Sequence, residues 1–126
     1  MMAAKRILLI DDDVGMRAVL QDILEDEGYE VKTATDGRSA LSSIENEDFD
    51  LILTDLKMPK MSGMEFLDYI EQNRPDLKVV VITAYTGKEN VNKAKLLGAF
   101  EFLSKSIQIE ELKRVVREVL ERNDKV

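Results

Sequence analysis

Ile7-Leu8-Leu9-Ile10-Asp11-Asp12-Asp13 and Leu51-Ile52-Leu53-Thr54-Asp55 share one construction, a short apolar run closed by acid. Runs of this length without polar alternation suit strands buried on both faces, as in a parallel sheet. Three further short runs suit strands, Tyr29 to Ala34, Val79 to Thr83 and Phe100 to Leu103, and several of the five are apolar on both faces. The segments between the runs carry helical spacing. The first spans Val14 to Glu27 and stops at Gly28, a residue suited to the position after a helix end. The second covers Arg38 to Asn46, with Ala40, Leu41 and Ile44 on one face. The third opens with Ser62-Gly63-Met64-Glu65, a capping-box pattern, and must end before Pro75. The fourth opens with Thr86-Gly87-Lys88-Glu89, the same pattern, and stops at Gly98, with a thin stripe of Val91, Ala94 and Leu97. The fifth carries Ile109, Leu112, Val115, Val116, Val119 and Leu120. Five strands alternating with five helices predict an α/β fold, a doubly wound (βα)5 parallel sheet with right-handed crossovers. Ligands of such folds bind beyond the carboxyl ends of the strands.

Composition narrows the chemistry. At 126 residues the chain fits one domain, residues 1–126, with no effector domain expected in it. It has no cysteine and no histidine, which excludes disulfides, thiolate zinc sites, a cysteine nucleophile and an internal phosphohistidine. A net charge of -7 argues against direct binding to nucleic acid or to an anionic membrane. No apolar run reaches spanning length and none resembles a signal-peptide core, so a cytoplasmic location is expected.

The strand ends carry the polar residues. Asp11, Asp12 and Asp13 follow the first strand and Asp55 the third; Thr83 closes the fourth run and Lys105 follows the fifth. Clustered carboxylates repel one another and favour a bound cation. Oxygen donors without histidine or thiolate select Mg²⁺, Mn²⁺ or Ca²⁺ over zinc. A divalent ion, a lysine and a hydroxyl together suit a phosphoryl group, which Asp55 could accept as an acyl phosphate. Each piece also has an ordinary reading. The acidic triplet can cap a helix, and Asp13 is read as only a cap. Asp55 can be a turn residue, Thr83 a strand residue and Lys105 a solvated surface lysine. Four such accidents at strand ends are less economical than one site.

The motifs Ile10-Asp11-Asp12, Thr54-Asp55-Leu56-Lys57-Met58-Pro59 with Gly63, Ile82-Thr83-Ala84, Gly98-Ala99 and Lys105 together match a known family. The chain resembles the receiver domains of two-component response regulators over essentially its whole length. It is most similar to single-domain sporulation phosphorelay regulators and nitrogen-regulator-class receivers. The resemblance implies a flavodoxin-like sheet of order 2-1-3-4-5. It implies that Asp55 takes a phosphoryl group from a phosphohistidine on a histidine kinase or histidine phosphotransfer protein. Asp11, Asp12, Asp55 and the backbone carbonyl of Lys57 would hold Mg²⁺, with Mn²⁺ as a substitute. Thr83 and Lys105 would bind phosphoryl oxygens. Thr83 and Phe102 would act as the switch that alters the surface of helix four, strand five and helix five for a downstream protein target; ordinary core packing is the other reading of Phe102. Such a domain would catalyse its own phosphorylation and dephosphorylation, with no separate substrate. Lys57 and Tyr85, two residues beyond Asp55 and Thr83, would control access of water to the acyl phosphate.

Helix one carries more apolar residues than one core stripe needs, and Met16, Val19 and, beyond Lys105, Ser106 are the candidate docking residues. Ser106 also departs from the family, which usually has a proline there after a cis peptide; a non-proline cis bond costs about 2.5–4 kcal/mol. The reach of Lys105 is therefore expected to be weakened. A phosphorylation-independent receiver-like binding module is the alternative. A haloacid-dehalogenase-type phosphatase would need an aspartate where Lys57 stands. A flavodoxin would need a hydroxyl- and glycine-rich phosphate loop in place of the acidic triplet.

Overall fold

A computed structural model describes residues 3–122. Alternating residues of the central strands divide the core in two. Leu8 and Ile10 of β1 (Arg6–Ile10), Ile52 of β3 (Leu51–Thr54) and Val79 and Val81 of β4 (Val79–Thr83) point to one face. Ile7, Leu9, Leu51, Leu53, Val80 and Ile82 point to the other. Both faces need cover, so helices must lie on both sides. α2 (Gly37–Asn46), α3 (Gly63–Asn73) and α4 (Lys88–Leu96) cover the first with Ala40, Ile44, Phe66, Leu67, Ile70 and Ala94. α1 (Val14–Asp26) and α5 (Ile109–Glu121) cover the second with Leu20, Leu24, Leu112, Val115, Val116 and Val119.

The sheet is parallel throughout, in the order β2-β1-β3-β4-β5. The edge strands are β2 (Glu30–Ala34), which is largely polar, and β5 (Glu101–Ser104). β1 and β3 run side by side with Ile10 opposite Thr54, so Asp11 and Asp55 leave the sheet at the same height. The order reverses at β1, and the cleft opens there.

The helix ends test the capping expectations. Asp13 caps α1 by accepting the Met16 N–H at 2.9 Å, and Ser62 caps α3 by accepting the Glu65 N–H at 3.1 Å. The expected cap at Thr86 is not formed. α4 starts at Lys88, so its cap is Gly87, with no side-chain hydrogen bond. That register places Glu89 one position too early to complete a capping box. Asn90 ties the turn instead, donating from Nδ2 to the Tyr85 carbonyl at 3.2 Å. Gly28 and Gly98 take positive φ after α1 and α4, the left-handed conformation that ends a helix.

Candidate functional site

Backbone hydrogen bonds set the strand ends in place. The Asp55 N–H donates to the Ile10 carbonyl at 3.2 Å, and the Lys105 N–H donates to the Thr83 carbonyl at 3.0 Å. Asp11 and Asp55 are 1% and 4% exposed, so two carboxylates are buried at adjacent strand ends. The Lys105 ammonium lies 2.6 Å from Asp55 Oδ2 and 3.0 Å from Asp11 Oδ2. Among the described residues no peptide is cis, so the Lys105–Ser106 bond is trans. The lysine nonetheless reaches both carboxylates, so the weakened reach expected from Ser106 is not seen. Burial pulls the Lys105 pKa down, but its close contacts with the Asp55 and Asp11 carboxylates outweigh this and hold it above the ordinary lysine value.

The remaining oxygens are held by backbone. Asp55 Oδ1 accepts the Leu56 N–H at 2.6 Å and lies 3.5 Å from the Lys57 N–H. Asp11 Oδ1 accepts the Asp13 N–H at 2.9 Å. Asp11 Oδ2 is buried, and among the described residues its close polar contact is the Lys105 ammonium. Arg17, which sequence reasoning passed over, donates from Nη1 to the Asp11 carbonyl at 2.8 Å. Its place one turn into α1 was the signal available. Gly63 is required by close approach: a Cβ there would overlap the Asp55 carbonyl and lie 2.5 Å from Leu56 Cα. Its N–H donates to the Leu56 carbonyl at 2.7 Å, closing the loop that follows Asp55 onto the start of α3.

The group opens on a cleft of about 460 Å³ that Asp12, Asp55, Lys57, Tyr85 and Lys105 help to line. The structure thus brings Asp11, Asp55 and Lys105 into contact and places Asp12, exposed, at the cleft mouth. Among the described residues no three carboxylates gather into a closed metal-binding group, and the Lys105 ammonium contacts two of the expected ligands. Thr83 is fully buried at the next strand end, where its hydroxyl accepts the Tyr85 N–H at 3.2 Å. Phe102 is half-buried against the first core cluster. Of the docking candidates, Val19 is 53% exposed and Ser106 is exposed. Met16 is half-buried and packs on the second core cluster, so of Met16 and Val19 it is Val19 that stays exposed, with Val14 at 70% beside it.

The 2-1-3-4-5 parallel sheet with five helices is a fold shared with solved receiver structures. The response regulator receiver domain model matches residues 7–117. The chain belongs to the response regulator receiver family. It is 33% identical over 119 residues to sporulation initiation phosphotransferase F of Bacillus subtilis, covering 94% of this chain and 96% of that protein. It is 36% identical over 122 residues to the DNA-binding transcriptional regulator NtrC of Azospirillum brasilense, covering 97% of this chain but 25% of that one. The chain thus spans nearly all of the first relative and about a quarter of the second. A CheY-like receiver domain protein from Methanospirillum hungatei superposes with a TM-score of 0.89 at 37% identity, covering 94% of each chain. The chemotaxis response regulator CheY4 of Vibrio cholerae gives 0.86 at 32%, covering 93% of this receiver and 99% of that chain. Receivers act as phosphoacceptors in two-component and phosphorelay signalling, generally bind Mg²⁺ and interact with histidine kinases or phosphotransfer proteins. Among the described residues of this receiver, no helix is long and apolar enough to cross a membrane.

Proposed function

We propose that Asp55 is the phosphoacceptor of a Mg²⁺-dependent receiver. The observation that carries this is a buried Asp55 carboxylate held by Lys105 and the Leu56 N–H, opening on an acidic cleft. An Asp55 carboxylate oxygen attacks phosphorus of a partner's phosphohistidine. A P–O bond forms, the P–N bond breaks, and the imidazole leaves with the bonding pair. Lys105 already sits at the Asp55 oxygen, where it is placed to meet the incoming negative charge.

Asp11, Asp12, Asp55 and the Lys57 carbonyl are the residues that would hold Mg²⁺. They are hard oxygen donors, and the buried Asp11 and Asp55 carboxylates favour a cation beside them, a place the Lys105 ammonium takes here. Bound there, Mg²⁺ would supply positive charge against the transferred phosphoryl group. Thr83 moves to donate its hydroxyl proton to a phosphoryl oxygen, and Phe102, on the neighbouring strand opposite Val81, then repacks. That couples Asp55 to the surface of α4, β5 and α5, read by a downstream protein. Residues 1–126 serve as one receiver unit in the cytoplasm. Their donor docks on exposed α1 beside the cleft, around Val19 with Met16 beneath, and near Ser106.

The test is intact-mass spectrometry after incubation with Mg²⁺ and acetyl phosphate. A phosphoryl mass gain is expected in wild type and not in Asp55→Asn or a chelated control. No gain with either acetyl phosphate or a phosphorylated donor protein would overturn the assignment.

A further inference from the structure

The loop after Asp55, residues 56–62, contains a strained turn. The Met61 N–H donates to the Pro59 carbonyl at 2.8 Å, closing a three-residue turn around Lys60. Lys60 sits at its centre with φ 70. Turns of this hand are rare, and strained conformations persist only where the surroundings over-determine them.

The surroundings here belong to a different strand end. Gly37 is buried at the first position of α2, and a Cβ on it would lie 2.7 Å from Met61 Cβ and 3.0 Å from Met61 Sδ. Met61 therefore packs directly on the Gly37 backbone. Beside it, Lys60 Nζ lies 3.7 Å from Asp36 Oδ2. Asp36 is itself fixed, because its Oδ1 caps α2 by accepting the Ser39 N–H at 2.8 Å. The other end of the loop is held by Gly63 against Leu56. Between these two anchors lie the Leu56 and Lys57 N–H groups that aim Asp55 Oδ1.

We propose that Asp36 and Gly37 at the start of α2, with Lys60 and Met61, are positioning residues for the phosphoacceptor: they hold the 56–62 loop so that its backbone N–H groups orient Asp55. This rests on the reading of Asp55 as phosphoacceptor. None of the four touches the reacting atoms; they act through the loop. Packing carries most of the effect, because the Lys60–Asp36 pair is largely exposed on the lysine side and such pairs contribute little.

The experiment compares wild type, Gly37→Ala, Lys60→Ala and Lys60→Arg with two readouts. One is hydrogen exchange and resonance position of the Leu56 and Lys57 amides in chelated, unphosphorylated protein. The other is the rate of phosphorylation by acetyl phosphate. Gly37→Ala displaces Met61. It should speed exchange at both amides and slow phosphorylation, each by about tenfold, since small misplacements cost that much or more. β1 amides should not change, which separates misplacement from general loosening. Lys60→Ala should slow phosphorylation about threefold and Lys60→Arg should restore it. If both Gly37→Ala and Lys60→Ala match wild type in amides and rate, the proposal is wrong. If Gly37→Ala does not fold, a loss in Lys60→Ala restored by Lys60→Arg supports it, and equal behaviour of the two overturns it. If wild type itself is not phosphorylated, the phosphoacceptor reading fails, while the amide readout still decides whether α2 orients Asp55.

Discussion

Lys105→Met isolates the electrostatics of the cleft. The substitution keeps the apolar stem and deletes the ammonium that lies 2.6 Å from Asp55 and 3.0 Å from Asp11. Two buried carboxylates then lose their shared cation. Breaking a buried pair by removing one partner costs about 3–5 kcal/mol. The lysine side chain is 16% exposed and the cleft admits water, so about 2 kcal/mol is the reasoned value here. With a urea slope of about 1.5 kcal/mol/M, the unfolding midpoint should fall by roughly 1.3 M in chelator. The lysine pKa is raised in the folded state. Its contribution is therefore fully present below the ordinary lysine range and is lost only as pH rises through the higher folded value. The loss caused by Lys105→Met should thus be flat from about pH 6 to 9 with respect to this group. Mg²⁺ should rescue the variant more than it stabilises wild type, because the ion no longer competes with a lysine. At a hundredfold excess over its dissociation constant a ligand adds about 2.7 kcal/mol, enough to offset the loss. A chelated midpoint within about 0.3 M of wild type, or a Mg²⁺ shift no larger than that of wild type, would refute this account.

Three other outcomes are expected. Glu47 is held below the usual carboxylate range by hydrogen bonds to Lys32 and Arg6, so its contribution is present above its unfolded pKa and lost as pH falls through the lower folded value. The stability gap between wild type and Glu47→Gln in urea melts should therefore close on acidification; a gap that stays constant or widens counts against the pairing. Gly63→Ala should cost at least about 2 kcal/mol, because the new Cβ meets backbone of Asp55 and Leu56 that cannot swing aside, and an unchanged urea midpoint would contradict this. Val19→Asp should slow phosphoryl transfer from a phosphorylated donor protein but spare transfer from acetyl phosphate, since Val19 is exposed on α1; equal effects on both would remove α1 as the docking face.

What was legible in the sequence followed short-range rules. β3 and β4 begin and end where the apolar runs do, because both faces of these strands are buried and the run length equals the strand length. Asp11, Asp55 and Lys105 were legible as strand-end residues, because parallel strands of similar length place their carboxyl ends on one rim. Helix caps were harder where two residues competed. Thr86 and Gly87 could each start α4; Gly87 takes the cap, and Asn90 ties the turn to the Tyr85 carbonyl. Met16 and Val19 lie three residues apart on α1, and only the packing against β-sheet and α5 decides which one the second core takes. Lys60 and Gly37 left no local mark: the contact between Met61 and Gly37 joins loops 24 positions apart, beyond any periodicity. The contact of Lys105 with both Asp11 and Asp55 was likewise invisible, because residue order says nothing about which carboxylates a lysine will meet.

The lifetime of the acyl phosphate can be reasoned from one contact. Lys57 Nζ lies over the Tyr85 ring, 4.4 Å from its centroid, and the pair joins the loops after β3 and β4 across the cleft mouth. Tyr85 is 46% exposed, so the contact is a surface one. An exposed cation–π pair is worth about 0.5–1 kcal/mol. If closure of this pair shields the phosphoryl group from water, opening it can accelerate hydrolysis only by about two- to fivefold, the same energy expressed as a population ratio. The two side chains form one interaction, so either truncation abolishes it. Lys57→Ala, Tyr85→Ala and the double variant should therefore shorten the half-life by the same factor, a fully non-additive cycle. The half-life is read from the decay of phosphorylated protein by intact mass after the donor is removed. Additive effects would mean that each side chain acts alone, and an unchanged half-life in the double variant would mean that the pair does not gate water at all.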